Sequence, residues 1–116
     1  MAEEITVDEF IAQIQEECES IDNSLVYLPM KKYGCKRVFE STVNTVKACI
    51  LVEKKGLWIT VELIQAIIER TSTSTLSVLH NLGDKRVIQL QGDTKGRLCW
   101  VLHPDFKKWI RHLGVS

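Results

Sequence analysis

The residues best suited to chemistry by type and spacing lie in Lys31-Lys32-Tyr33-Gly34-Cys35-Lys36-Arg37, the densest basic cluster of the chain. Cations interleaved with a ring suit a nucleic-acid backbone, where ammonium and guanidinium groups meet phosphates and an aromatic face can stack. Lys31, Lys32, Lys36 and Arg37 are therefore candidates for backbone contact. The same residues also read as a solvated loop that balances an acidic segment upstream. The other reactive groups are scattered. Cys18, Cys35, Cys49 and Cys99 contain no C-x-x-C pair, and His80, His103 and His112 supply no close ligand pair. The spacing of a zinc site is missing. Dispersed cysteines act as small core hydrophobes, with Cys35 the one expected in an exposed loop. No glycine-rich phosphate loop, nucleophile elbow or helix-borne histidine pair occurs, and Glu62 and Glu69 fit a solvated helix face. The expectation is a protein without catalytic residues, metal or cofactor.

Charge is divided unevenly along the chain. The formal net charge is zero, yet eight of the fifteen acids fall within residues 1–30, which hold no Lys or Arg. Residues 31–116 carry all fifteen Lys and Arg against the remaining seven acids, an excess of eight positive charges. Such a split points to two faces with different jobs, or to an acidic helix resting on a basic body. With 116 residues, 45% hydrophobic and 26% charged, the composition is that of one globular domain. No apolar run approaches the roughly 20 residues that cross a bilayer. The Met-Ala-Glu-Glu start is acidic where a signal peptide is basic, so a cytoplasmic location is expected.

The elements that would position these groups follow from periodicity. Thr6-Val7-Asp8-Glu9 has the form of a capping box. Behind it Val7, Phe10, Ile11, Ile14, Cys18 and Ile21 recur at helical spacing, which predicts a helix over 7–21. Leu25-Val26-Tyr27-Leu28 is halted by Pro29 and is read as an extended segment or docked loop. A second helix is expected over 41–55, ending at Gly56, although its β-branched residues would also allow a strand. Leu57-Trp58-Ile59 reads as a short strand, Thr60 as a helix N-cap, and 61–70 as a helix. Thr71-Ser72-Thr73-Ser74 is a hydroxyl-rich break that ends one helix and caps another over 74–82, stopped by Gly83-Asp84. Val87–Gln91 and Arg97–Leu102 flank Gly92-Asp93-Thr94-Lys95-Gly96, a β-hairpin with a glycine at each corner. His103-Pro104-Asp105 opens a last helix over 105–113, with Phe106, Trp109, Ile110 and Leu113 as its apolar stripe.

Strand, helix, tight turn, helix and hairpin over 57–102 resemble the winged helix-turn-helix superfamily, in particular its small transcription regulators. The expected fold is α+β and mostly helical, with a β-hairpin wing and extra N- and C-terminal helices. One domain would span 1–116: an N-terminal helix and basic loop (1–40), a winged-helix core (41–102) and a C-terminal helix (103–116). The resemblance implies a DNA-binding function in which the second helix of the turn lies in the major groove and the wing touches the backbone. It assigns base or phosphate contacts to Thr73, Ser74, Ser77, His80 and Asn81, and phosphate contacts to Lys85, Arg86, Lys95 and Arg97. One departure from the pattern is plain: the recognition helix carries no Arg or Lys. A winged helix serving as a protein-interaction module within a larger assembly is the alternative.

The flanking helices suggest the quaternary state. Phe10, Ile11 and Ile14 on one stripe, and Phe106, Trp109 and Ile110 on the other, are too apolar to leave in water. They must cover each other within one chain or across a two-fold axis. The expectation is a homodimer presenting two helices to half-sites of double-stranded DNA.

Overall fold

A computed structural model of the chain describes residues 6–21, 40–94 and 97–108. Among them are five helices and three strands. These are α1 (Val7–Ser20), α2 (Glu40–Lys54), β1 (Ile59–Thr60), α3 (Val61–Ile68), α4 (Ser72–Asp84), β2 (Ile88–Thr94), β3 (Arg97–Leu102) and α5 (Pro104–Lys107). The class is α+β, mostly helical with one small antiparallel sheet ordered β1-β3-β2.

α1 begins where its sequence says it should. Thr6 is extended and its Oγ1 accepts the Glu9 N–H at 3.1 Å, satisfying one of the orphan donors of the first turn. Ile14 is fully buried, while Phe10, Ile11, Cys18 and Ile21 pack half-buried against the core. Val7, at the head of the stripe, is 71% exposed. Glu17 on the acidic side meets Lys55 at 3.3 Å, a surface pair of small energetic weight.

α2 is the centre of the molecule and touches α1, α3, β1 and β3. Val43 and every residue from Thr45 to Val52 are buried. A helix enclosed on nearly all sides has no polar face, which is why its sequence lacks a clear amphipathic stripe. Its β-branched residues could have formed a strand; burial against four neighbouring elements overrides that local preference. The helix closes in a Schellman turn, with Leu57 N–H donating to Val52 C=O at 3.1 Å and Gly56 N–H to Glu53 C=O at 2.9 Å. Gly56 takes φ +80°, the conformation glycine adopts without steric cost.

Several boundaries differ from the sequence expectation, each for a local reason. The first strand lies at 59–60 instead of 57–59, because pairing with β3 starts only at Ile59, opposite Trp100. Leu57 and Trp58 stay outside it, Trp58 54% exposed. Thr60 ends the strand and caps α3, its Oγ1 accepting the Leu63 N–H. α3 stops at Ile68 instead of 70, because Glu69 turns left-handed at φ +55°. α4 starts at Ser72 and runs to Asp84, longer than the 74–82 expected. Thr71, not a residue further on, is its N-cap: the Oγ1 accepts the Ser74 N–H at 3.2 Å. Gly83 consequently lies inside the helix, and Arg86 supplies the left-handed stop at φ +60°.

The hairpin is present: its second strand has the expected bounds, Arg97–Leu102, while the first starts one residue later than expected, at Ile88, and runs further. β2 continues to Thr94, opposite Arg97, so Gly92 is no corner residue. It sits at a bulge between Leu90 and Gly92, where the strand register shifts. Ile88, Trp100 and Leu102 face the core and are buried, whereas Gln89 and Val101 face away. Pro104 opens α5 at its first turn, where a missing N–H costs nothing. Phe106 is fully buried. The remainder of the expected 105–113 helix, with Trp109, Ile110 and Leu113, lies outside the described residues, as does the basic cluster at 31–37. Among the described residues no helix is long and apolar enough to cross a membrane.

Candidate nucleic-acid interface

α4 shows why its sequence alternates small polar and aliphatic residues. Thr75, Leu79 and Leu82 are buried, with Leu76 and Val78 half-buried beside them. Thr75 is a polar residue in this apolar row, and its hydroxyl donates back to Thr71 C=O at 2.8 Å, so nothing polar is left unmatched. Thr73, Ser77, His80 and Asn81 are exposed on the opposite arc, and Ser74 is half-buried at its edge. The arc thus gathers five of the nine expected contact residues on one helix face. Lys85 and Arg86 follow, both exposed, at its C-terminal end. Lys95 lies outside the described residues, and Arg97 is described only as the first residue of β3.

Three features of this surface had no clear sequence signal. Asp84 is exposed on the same helix, one position before Lys85, and puts a negative charge at that end. Arg70 is exposed in the three-residue turn leading into α4 and adds a cation near the helix N-terminus, which already favours anions. His80 is not a free-standing outward side chain. Its ring stands edge-on to Trp100, centroids 5.8 Å apart at 81°, so the imidazole is oriented by the sheet. The two rings, with Arg86, Leu90 and His103, border a groove of about 360 Å³ between α4 and the hairpin. Leu90 is 57% exposed there, an apolar contact available to whatever approaches the helix.

The chemistry open to this arrangement is hydrogen bonding and charge attraction. Hydroxyls and helix N-terminal amides can hold phosphates, and Asn81 and His80 can read base edges. Ile14 and Phe106, two of the residues expected at a two-fold interface, are instead enclosed by the chain's own core. Phe10 and Ile11, half-buried, are what remains of that surface among the described residues. Among the described residues no group of three or more His, Cys, Asp or Glu side chains is arranged to hold a metal. Burial pushes the Cys18 thiol up to about 11 against the opposing pull of Lys47, and pushes the fully buried Cys49 thiol higher still. Neither is a thiolate near neutral pH, so neither is an activated nucleophile.

No protein-family model, curated protein or solved structure matches this chain.

Proposed function

We propose that this chain is a winged helix-turn-helix protein that binds double-stranded DNA, acting in the cytoplasm as a homodimeric transcriptional regulator. The observation that carries the reading is the exposed arc of Thr73, Ser77, His80 and Asn81 on α4, set beside a two-stranded hairpin. Support comes from the element order β1-α3-α4-β2-β3, the short turn between α3 and α4, and the β1-β3-β2 sheet. In this reading α4 enters the major groove, while Lys85, Arg86, Lys95 and Arg97 meet the backbone. Four such contacts from each protomer, eight in the dimer, would weaken binding to random duplex DNA roughly ten-thousandfold between about 50 and 200 mM salt, by counterion release. Fluorescence anisotropy across that range tests it. Lys95→Glu with Arg97→Glu should weaken binding to all sequences alike; binding indifferent to salt and to this reversal sinks the reading.

A second reading, a protein-interaction module within a larger assembly, is favoured by two observations. The α4 arc carries no cation and ends at Asp84, and Leu57 and Trp58 are exposed beside the edge strand β1. Aromatic side chains such as Trp58 are enriched at protein–protein interfaces.

A further inference from the structure

Thr73 and Ser77 stand exposed on α4, and a hydroxyl in such a place rotates to suit whatever donor or acceptor arrives. His80 differs from them. It is exposed too, yet its ring stands edge-on to Trp100, centroids 5.8 Å apart and planes at 81°. That is an arrangement the quadrupoles of two rings favour. Trp100 is a firm support for it. It is 2% exposed and lies on β3, the central strand, opposite Ile59 of β1 on one side and Leu90 of β2 on the other. Ile59 is itself fully buried, so the support is fixed by the packing of the sheet.

The hydrogen-bonding capacity of His80 is not used up by this contact. Among the described residues neither of its ring nitrogens has a hydrogen-bond partner, whereas His103, on the same groove, accepts the Asp105 N–H at its Nδ1 at 3.2 Å. A ring already held by the sheet loses less side-chain freedom on binding than a free one. Hydrogen bonds also weaken steeply with angle, so a held ring separates base positions that a rotating hydroxyl does not.

We infer that Trp100 is a positioning residue: it holds His80 so that the imidazole reads one base, a guanine, in each half-site. The inference rests on the DNA reading and deepens it. Guanine suits an N–H donor because it presents N7 and O6 as two acceptors in the major groove. Adenine and thymine present one acceptor each there, and cytosine a donor. Trp100 is buried and meets no DNA, so its whole effect passes through His80.

The test compares wild type, His80→Ala, Trp100→Met and the double variant, using enrichment from a randomised DNA pool. Fluorescence anisotropy with the enriched duplex and its single-base substitutions measures the discrimination at each position. Met fills the Trp100 site with an apolar chain and no ring. His80→Ala is expected to lower discrimination for guanine at one position about tenfold, leaving the other positions unchanged. Trp100→Met should lower it several-fold at that same position, and should change nothing further in the His80→Ala background. Trp100→Phe keeps a ring and should retain most of the discrimination. A loss spread over all positions, or one that persists without His80, makes Trp100 a structural residue only and overturns the inference. A His80-dependent preference for another base does so as well. If Trp100→Met does not fold, nuclear magnetic resonance of the wild type decides. Cross-relaxation between the two rings is expected in the free protein and in the DNA complex, and its absence from either overturns the inference. Failure of the wild type to bind DNA in a salt-dependent way removes the DNA reading and the inference together. Salt-dependent binding whose discrimination His80→Ala leaves unchanged removes the inference alone.

Discussion

The Glu53 carboxylate accepts the Leu102 N–H at 2.8 Å and so joins the central helix to the last strand across 49 positions of chain. Its second oxygen is buried and lies 3.0 Å from Lys107 Nζ, at ion-pair distance but without hydrogen-bond geometry. One side chain therefore connects α2, β3 and α5. Glu53→Ala leaves the Leu102 amide without this acceptor and is expected to cost about 2–3 kcal/mol in urea unfolding. Glu53→Gln keeps an acceptor and should cost less, about 1 kcal/mol. Equal losses for the two variants would show that the charge, and not the amide bond, is what matters.

Asn81 is the exposed α4 residue best equipped to read a base. Asn81→Ala is expected to leave binding to random duplex DNA nearly unchanged while removing about 1–3 kcal/mol of preference among sequences. Sequencing of the DNA retained by each protein from a randomised pool measures this. Identical enriched sequences for both proteins would remove Asn81 from the interface.

Arg86 holds a left-handed conformation next to α4, at φ +60°, with its N–H donating to Gly83 C=O at 3.1 Å. Arg86→Gly relieves that backbone, with a gain of up to about 1 kcal/mol after the added flexibility of the unfolded chain. It also deletes a cation from the proposed DNA surface. Stability equal or higher with a DNA salt slope lowered by about two, one for each protomer of the proposed dimer, is the expected pair of results. A large loss of stability would show that the guanidinium has a structural role.

Stability should fall in alkali through Cys18. Burial raises its folded pKa from 9.0 to about 11, so the folded protein keeps the proton that the unfolded chain releases. The thiol's contribution is complete below pH 9 and is lost as pH rises towards about 11. Cys49 is shifted in the same direction, so wild type and Cys18→Ala should both lose stability in that window, the variant less steeply. Chemical denaturation at successive pH values reads the difference in slope; parallel curves would refute it.

Ile14 and Phe106 are used within the chain, so the proposed homodimer is placed here on the exposed start of α1, where Val7 is 71% exposed. Light scattering at micromolar concentration is expected to give the mass of two chains. Val7→Asp should halve it without unfolding the protein, since Val7 is exposed and an acid in the first helical turn is favourable. A mass of one chain that is constant on concentration rules the dimer out.

What the sequence determined by itself was whatever acts within about one helical turn or one hairpin. Thr6, Thr60 and the Thr71–Ser74 run each announce a helix start, because a hydroxyl reaches an amide three residues ahead. The aliphatic spacing of α1 and α4 separates buried from exposed faces, so Ser77, His80 and Asn81 were legible as outward residues; Ser74, expected among them, is half-buried, and Thr73, expected at the helix start, is exposed within the helix. Tertiary structure decided what depends on a partner distant in the chain. β1 begins at Ile59 and not Leu57 because β3 chooses the register, and α2 is a helix because four elements enclose it. Whether the α1 stripe covers a second copy or its own core is equally invisible in residues 7–21; Ile14 is settled only by what packs on it. The His80–Trp100 contact and the Gln15–Ile67 hydrogen bond join residues 20 or more positions apart. Local propensity carries no information about such neighbours, since their proximity exists only after the helices and sheet have packed.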